Sequence, residues 1–215
     1  MTDTDLTTAD FAAYEQELAP SLAVPNETAD LLFRSAQTGY AFSDEPVTDA
    51  QIRAVHDLIK WGPTAMNSQP LRMVLVRTSE ARERLVEHMS GNNKGRTASA
   101  PLVAVLAADV DFHDEMGRVF PAVPDAAAMF PDESVRAVMA HTNAVLQAGY
   151  FIVGVRAAGL VAGPMGGFDA DAVSREFFPD GRHRAFMVVN LGHPTEESYR
   201  PRQPRLDFDE VITTA

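Results

Sequence analysis

The chain reads as one α+β domain, a set of buried strands flanked by helices. Three observations predict it. Residues 73–76, 102–107 and 186–191 are short runs almost free of polar side chains, as strands covered on both faces require. The segments between them carry helical spacing and helix start signals. The 215 residues, enough for one substantial core, show no internal repeat and no break in composition.

The elements follow in order. Residues 1–27 form a polar lead and are expected to be an N-terminal extension, with a possible helix at 11–18 limited by Pro20 and Pro25; the domain proper is 28–215. Residues 28–36 have helical character, with Leu31, Leu32 and Phe33 apolar. Thr48-Asp49-Ala50-Gln51 fits a capping box, in which the Thr48 oxygen accepts from the Gln51 backbone and the Gln51 side chain reaches back. Ile52, Val55, Leu58 and Ile59 make the apolar stripe of that helix, and Gly62-Pro63 stops it. Strand 73–76 leads to a charged surface helix at 79–89, a loop at 90–95 and the strand 102–107. Residues 112–131 read as a helical or irregular excursion with exposed aromatic side chains. A long, largely buried helix is expected over 133–159, ended by Gly159 and placing His141 in a core or interface. A short extended stretch and turn at 161–167 precedes a helix at 169–178 capped by Asp169, then the strand 186–191. Residues 194–215 form an arm rich in proline, arginine and aspartate.

Composition excludes several functions. A formal net charge of −12 disfavours nucleic acid and anionic membrane as partners, although a few local arginines can still hold a phosphate. With no cysteine there is no disulfide, thiolate–metal site or thiol nucleophile, which fits a cytoplasmic address. The acidic N-terminus has no apolar core and is not expected to be a secretory signal. Residues 144–162, the longest apolar stretch, are interrupted by Gln147, Arg156 and three glycines and read as a buried helix. The six histidines are scattered with no metal-ligand spacing, and no acid/base pair of carboxylates can be named. Nucleotide-binding glycine loops, a GxSxG elbow and HExxH are all absent.

Three separated loops stand out instead. Residues 62–70, Gly-Pro-Thr-Ala-Met-Asn-Ser-Gln-Pro, offer donors and acceptors suited to the edge of a heteroaromatic ligand, and also suit an ordinary helix-to-strand loop. Residues 163–169, Gly-Pro-Met-Gly-Gly-Phe-Asp, lack side chains where backbone could approach a flat ligand, and also suit a tight turn. Arg200, Arg202 and Arg205, spaced by prolines, could grip a phosphate or pair with surface acids.

In order and spacing these loops resemble the FMN-dependent nitroreductase family, from about Leu31 to the C-terminus. The family's P-S-x-x-N-x-Q-P-like loop corresponds to residues 63–70, its P-x-x-G-F-D-like turn to 164–169, and its C-terminal basic pair to Arg200 and Arg202. Within the family the malonic semialdehyde reductase branch is the most similar, through Trp61-Gly62-Pro63-Thr64, Ser90-Gly91-Asn92 and Pro204-Arg205-Leu206. The resemblance implies a mostly antiparallel central sheet, an extended C-terminal arm and a homodimer with flavin at the subunit interface. It implies FMN as cofactor, NADH or NADPH as co-substrate, and ping-pong hydride transfer to a small molecule such as malonic semialdehyde. The alternatives are a nitro- or quinone reductase, a flavin oxidase of a biosynthetic pathway, or a flavin-binding scaffold without turnover. The cofactor residues it implies are Gln37, Thr38 and Tyr40, then Asn67 and Gln69, Asn92 and Lys94, Met165, Gly166 and Gly167, and Arg200 and Arg202. No catalytic acid or base is named.

One departure is specific. The family's R-R-S-x-R-x-F-like segment is here Ala36-Gln37-Thr38-Gly39-Tyr40-Ala41-Phe42, so Gln37 and Tyr40 stand where basic residues are common. Losing a charge-assisted contact to a phosphate costs about 1.5–3 kcal/mol, roughly one to two decades in affinity. Either Arg34, Arg200 and Arg202 compensate, or flavin binding is weaker, or the ligand has changed; phosphate anchoring is expected to rest mainly on the C-terminal arginines, Arg200 and Arg202.

Overall fold

The computed structural model describes residues 22–215. The possible helix at 11–18 and most of the 1–27 extension lie outside the described residues. Four strands, β1 (Leu71–Val76), β2 (Leu102–Asp109), β3 (Val161–Met165) and β4 (His183–Gly192), form one sheet in the order β1-β2-β4-β3, every pairing antiparallel. Val105 lies opposite Val74 and Val188, and Gly163 opposite Asn190. β3 is the extended stretch expected at 161–167, paired along β4.

β2 is buried from end to end, and its alternation divides the core. Leu102, Ala104 and Leu106 join Phe151, Val155 and Ile59 on one face. Val103, Val105 and Ala107 join Leu85, Val173 and Phe178 on the other. A run apolar on every residue is thus what a central strand between two helical layers needs.

The first layer holds α2 (Asp49–Ile59) and α6 (Glu133–Ala157). The capping box at Thr48 forms as expected, with Gln51 N donating to Thr48 Oγ at 3.2 Å and Thr48 N donating to Gln51 Oε1 at 2.9 Å. Val55 and Ile59 are buried, whereas Leu58 points to solvent at 59% exposure. α6 ends at Ala157, with Gly159 at φ +73° as the helix stop. α2 and α6 touch closely at Gly154, where an added Cβ would clash with Ile59 Cγ2.

The second layer holds α3 (Ser79–His88), capped by Thr78, α4 (Asn93–Ser99) and α7 (Ala170–Phe177), capped by Asp169. Preceding them all, α1 (Asn26–Ala29) runs into a π-turn (Asp30–Arg34), so the helix expected at 28–36 begins and ends two residues early.

Other expectations are corrected. The presumed loop at 90–95 is helical from Asn93, because Thr97 is buried against the domain and anchors a turn that propensity alone would not start. α6 is buried on one face only. Val135, Val138, Val145, Leu146 and Tyr150 are exposed, and His141 is exposed with its ring edge-on to Phe186 at 5.5 Å. By length and composition α6 could cross a membrane, but its inner face packs on α2 and the sheet. The excursion forms 3-10 turns at Phe112–Glu115 and Ala126–Met129 around the short helix α5 (Met116–Val119). Its aromatics do not face outward: Phe112 and Phe130 are buried, edge to face at 5.2 Å, in a small core of their own. Burial of these rings outweighs the polar, proline-rich context that marked the segment as exposed.

At the end of β2 sits a charged knot. Asp109, 1% exposed, accepts from Arg182 Nε at 2.9 Å and Nη2 at 3.0 Å, and pairs with Arg72 Nη2 at 2.9 Å. Its hydrogen bonds raise the Arg182 pKa against the opposing effect of burial.

Candidate functional site

A cleft of about 200 Å³ opens where four chain segments meet. Thr38, Gly39 and Tyr40 come from the stretch after α1, Asn93 and Arg96 from α4, Gly163, Pro164 and Met165 from β3, and Asn190 from β4. The first stretch is laced in by its backbone. Gly39 N donates to Ala162 O at 2.9 Å, Tyr40 N to Ser198 O at 2.9 Å, and Ser43 N to His193 O at 3.0 Å. Two glycines make the crossing possible: a Cβ on Gly163 would stand 2.6 Å from the Gly39 carbonyl oxygen. Ser198 Oγ donates to Ala41 O at 2.6 Å and ties the start of the C-terminal arm to the same stretch.

The turn at 166–167 is locked to α4. Ser90 N and Asn93 Nδ2 donate to Gly167 O at 3.0 and 3.1 Å, and a Cβ on Gly167 would meet Asn93 Nδ2 at 2.7 Å. Asn190 is 2% exposed and its Oδ1 has no hydrogen-bond partner. A buried acceptor left open costs about 1–3 kcal/mol, and on the cleft wall this one is placed where a donor entering the cleft could satisfy it. Arg96 is the single charged lining residue, with its guanidinium 4.7 Å from the centroid of the Tyr40 ring. Arg200 lies over the same ring at 4.8 Å.

Of the residues expected at the site, Thr38, Tyr40 and Met165 line the cleft, Gly166 and Gly167 follow directly from it, and Arg200 reaches it through Tyr40. Gln37 is half-buried and does not line it. Asn92 and Lys94 are exposed; the residues that face the cleft are Asn93 and Arg96. The physical reason is the helix: three residues apart on α4, Asn93 and Arg96 share a face that a loop reading could not single out. Arg202 is exposed and donates through Nη2 to the Arg34 carbonyl, and Arg205 curls onto the Gln203 and Pro204 carbonyls. Asn190 and Asn93 lacked any sequence signal; a lone asparagine in an apolar strand is the one hint that could have exposed the former.

Asn67 and Gln69 occupy a different place. Their loop is pinned to α6, with Ala65 N donating to Asn143 Oδ1 at 2.7 Å and Leu71 N to Gln147 Oε1 at 3.0 Å. Asn67 Nδ2 donates to Val119 O at 2.7 Å. Met66, Asn67 and Gln69 all have positive φ, at 52°, 54° and 44°. Three left-handed non-glycine residues in four positions is a strained conformation held by its surroundings, a pattern common at functional sites. Among the described residues, none of this loop lines the cleft.

The nitroreductase family profile matches residues 34–193. A Streptomyces griseus protein named “Putative NADH dehydrogenase/NAD(P)H nitroreductase” is 55% identical over 195 residues, covering 90% of this chain and 99% of that protein. A Streptomyces coelicolor protein of the same description is 43% identical over 197 residues, covering 91% and 98%. Among solved structures, a Bacillus subtilis nitroreductase-type protein, ydfN, superposes with a TM-score of 0.79 at 23% identity, covering 88% of this chain and 99% of that one. An Exiguobacterium sibiricum nitroreductase-type protein solved with FMN superposes with a TM-score of 0.77 at 14% identity, covering 89% and 99%. These two structural likenesses concern the fold.

Proposed function

The chain belongs to the nitroreductase family, and on that premise we propose that it is an FMN-dependent NAD(P)H oxidoreductase whose catalytic unit is residues 28–215, with 1–27 as an extension. The observation that carries the reading is the cleft itself. It combines backbone stripped of side chains at Gly163 and Gly167, an open buried acceptor at Asn190, and guanidinium groups at Arg96 and Arg200, in a chain that is acidic overall. A flat, polar-edged, phosphate-bearing ligand needs this donor set.

FMN bound there would supply hydride transfer between reduced nicotinamide and the substrate. The chain's residues position and shield. With FMN in the cleft, Met165, Gly166 and Gly167 would present backbone to the flavin ring, Asn190 would offer its Oδ1 and Thr38 its hydroxyl, and Tyr40 with Arg200 would face the phosphate end. No side chain is assigned as acid or base.

The cleft is smaller than the roughly 300–1,000 Å³ usual for a drug-sized ligand, so one chain provides part of a site. We place the remainder across a homodimer interface. The exposed apolar stripe of α6, with Trp61, which follows α2, at 80% exposure, is the surface that such a contact would cover. The strained loop bearing Asn67 and Gln69, anchored to α6, then reaches the cleft of the second subunit. The address is cytoplasmic. The substrate favoured by the Trp61–Thr64, Ser90–Asn92 and Pro204–Leu206 resemblances is a small aldehyde such as malonic semialdehyde.

The test is optical. The purified protein should be yellow or should quench FMN fluorescence on titration, and NADH or NADPH should bleach it without oxygen. A colourless protein that neither quenches nor is thermally stabilised by FMN refutes the reading. Turnover with malonic semialdehyde, a quinone and a nitroarene then distinguishes aldehyde reduction from the other reductase activities. A molecular mass of one chain at working concentration refutes the dimer.

A further inference from the structure

One charge interrupts the apolar run at 144–162, and the fold buries it. We propose that Arg156, in the last turn of α6, is a positioning residue for the cleft, which holds the stretch after α1 and the C-terminal arm in place together. Its consequence for ligand binding rests on the flavin reading above; its geometry does not.

Arg156 is 7% exposed and, among the described residues, has no carboxylate partner. A buried charge without a counter-charge is costly, and an apolar side chain would fill the same space without that cost. The C-terminal end of α6 offsets part of it, since the helix dipole favours a cation there. Two neutral acceptors meet the rest. Nε donates to Leu31 O at 3.0 Å, and Nη1 donates to the Tyr199 hydroxyl oxygen at 3.4 Å. A planar fork can hold two acceptors in fixed directions at once, which a lysine ammonium does less well. The acceptors come from opposite ends of the chain and serve the same cleft. Leu31 lies in the π-turn that leads to Thr38 and Tyr40, and Tyr199 immediately precedes Arg200. Further along, the two segments hold each other, through Tyr40 N to Ser198 O at 2.9 Å, Ser198 Oγ to Ala41 O at 2.6 Å, and Arg202 to the Arg34 carbonyl. Gly39 N ties the first segment to β3. For the arm, among the described residues, the bond from Arg156 to Tyr199 is its only hydrogen bond to either helical layer. Arg156 therefore sets where the pair of segments, carrying the Tyr40 ring and Arg200, stands against the sheet wall of the cleft.

The experiment has two readouts on the full chain, and the first needs no flavin. Tyr199→Phe removes the arm's acceptor and leaves Leu31 O in place. Amide hydrogen exchange in this variant should rise by about 3- to 10-fold at Tyr40 and through 198–202, with the amides of α6 unchanged. The second readout is FMN affinity by fluorescence quenching. Tyr199→Phe and Arg156→Lys should each weaken FMN by about 3- to 10-fold. With Arg200 already changed to Gln, Tyr199→Phe should cost less than about 2-fold more, because the arm it places no longer contributes. Losses that multiply in the double variant overturn the proposal, as does an FMN affinity that Tyr199→Phe leaves untouched. So does unchanged exchange in both segments. Faster exchange throughout α6 overturns it too, since the contact would then be a general prop of the fold. Tyr199→Phe removes one hydroxyl and no buried volume, so it decides the matter even if Arg156→Lys does not fold. Failure of wild type to bind FMN is a different result: it removes the flavin reading, and the exchange readout still tests whether Arg156 positions the two segments.

Discussion

Two places in the molecule gather arginines, and they use them in opposite ways. At the end of β2, Arg72 and Arg182 converge on Asp109, a carboxylate almost wholly removed from water, with bidentate geometry from Arg182. At the cleft, Arg96 and Arg200 converge on the Tyr40 ring with no carboxylate among their described partners. In the first case the charge is satisfied within the chain and its product is rigidity. In the second it is only steered, and remains available to an outside anion. An arginine cluster therefore says little about function until its internal counter-charges are known.

That contrast can be broken by substitution. The largest effect belongs to Asp109→Ala, which leaves two guanidinium groups facing each other. It should destabilise by about 2–4 kcal/mol in chemical denaturation, toward the low side for a broken buried pair because both arginines keep roughly a third of their side chains in water. Flavin affinity of the folded fraction should not change. Next is Gly163→Ala, whose Cβ would press on the Gly39 carbonyl; backbone cannot swing aside, so about 1–3 kcal/mol is lost and flavin affinity falls with it. Intact stability in this variant would mean that the glycine crossing does not hold the cleft. Smaller still is the stability change for Arg96→Gln combined with Arg200→Gln, within about 0.5 kcal/mol, because neither side chain neutralises an internal charge. A loss like that of Asp109→Ala would erase the distinction between the two clusters.

The smallest effect is a pH dependence beside the Asp109 knot. Burial pushes the Asp180 carboxyl up, but hydrogen bonds from the His183 side chain and from the Arg182 and His183 backbone outweigh it and hold the pKa below the ordinary value. A depressed folded-state pKa gives stability that is present above the unfolded value, near 4, and is lost as pH falls through the lower folded value. Thermal midpoints of wild type and Asp180→Asn should therefore differ slightly at neutral pH and converge below about pH 4. A gap that stays constant into acid would show that Asp180 acts through packing and not through its charge.

Much of the fold was legible because its signals are local. The Thr48 box, the Asp169 cap and the Gly159 stop depend on a few neighbouring residues, and each forms where expected. Continuous apolar runs identified the strands for the same reason, but β1, expected to be covered on both faces, is an edge strand that is fully buried only at Val76. The misreadings share a different cause. Residues 93–99 are helical because Thr97 is buried, and Phe112 and Phe130 are hidden because they meet each other across eighteen residues. One face of α6 is bare although its composition suits burial all round.

The sequence by itself determined the order of the strands and of the longer helices, the three loops, the acidic balance and the absence of charge at Gln37 and Tyr40. Each is a property of residue type and near spacing, and none needs a partner distant in the chain. Only the tertiary structure decided that Asn93 and Arg96 face the cleft in place of Asn92 and Lys94, because helix phase selects the face. Only it brought Asn190 to the wall with an open acceptor, and set Arg96 and Arg200, more than a hundred residues apart, on one ring. Such contacts are made by packing across the sheet, and packing is not written in any single stretch of chain.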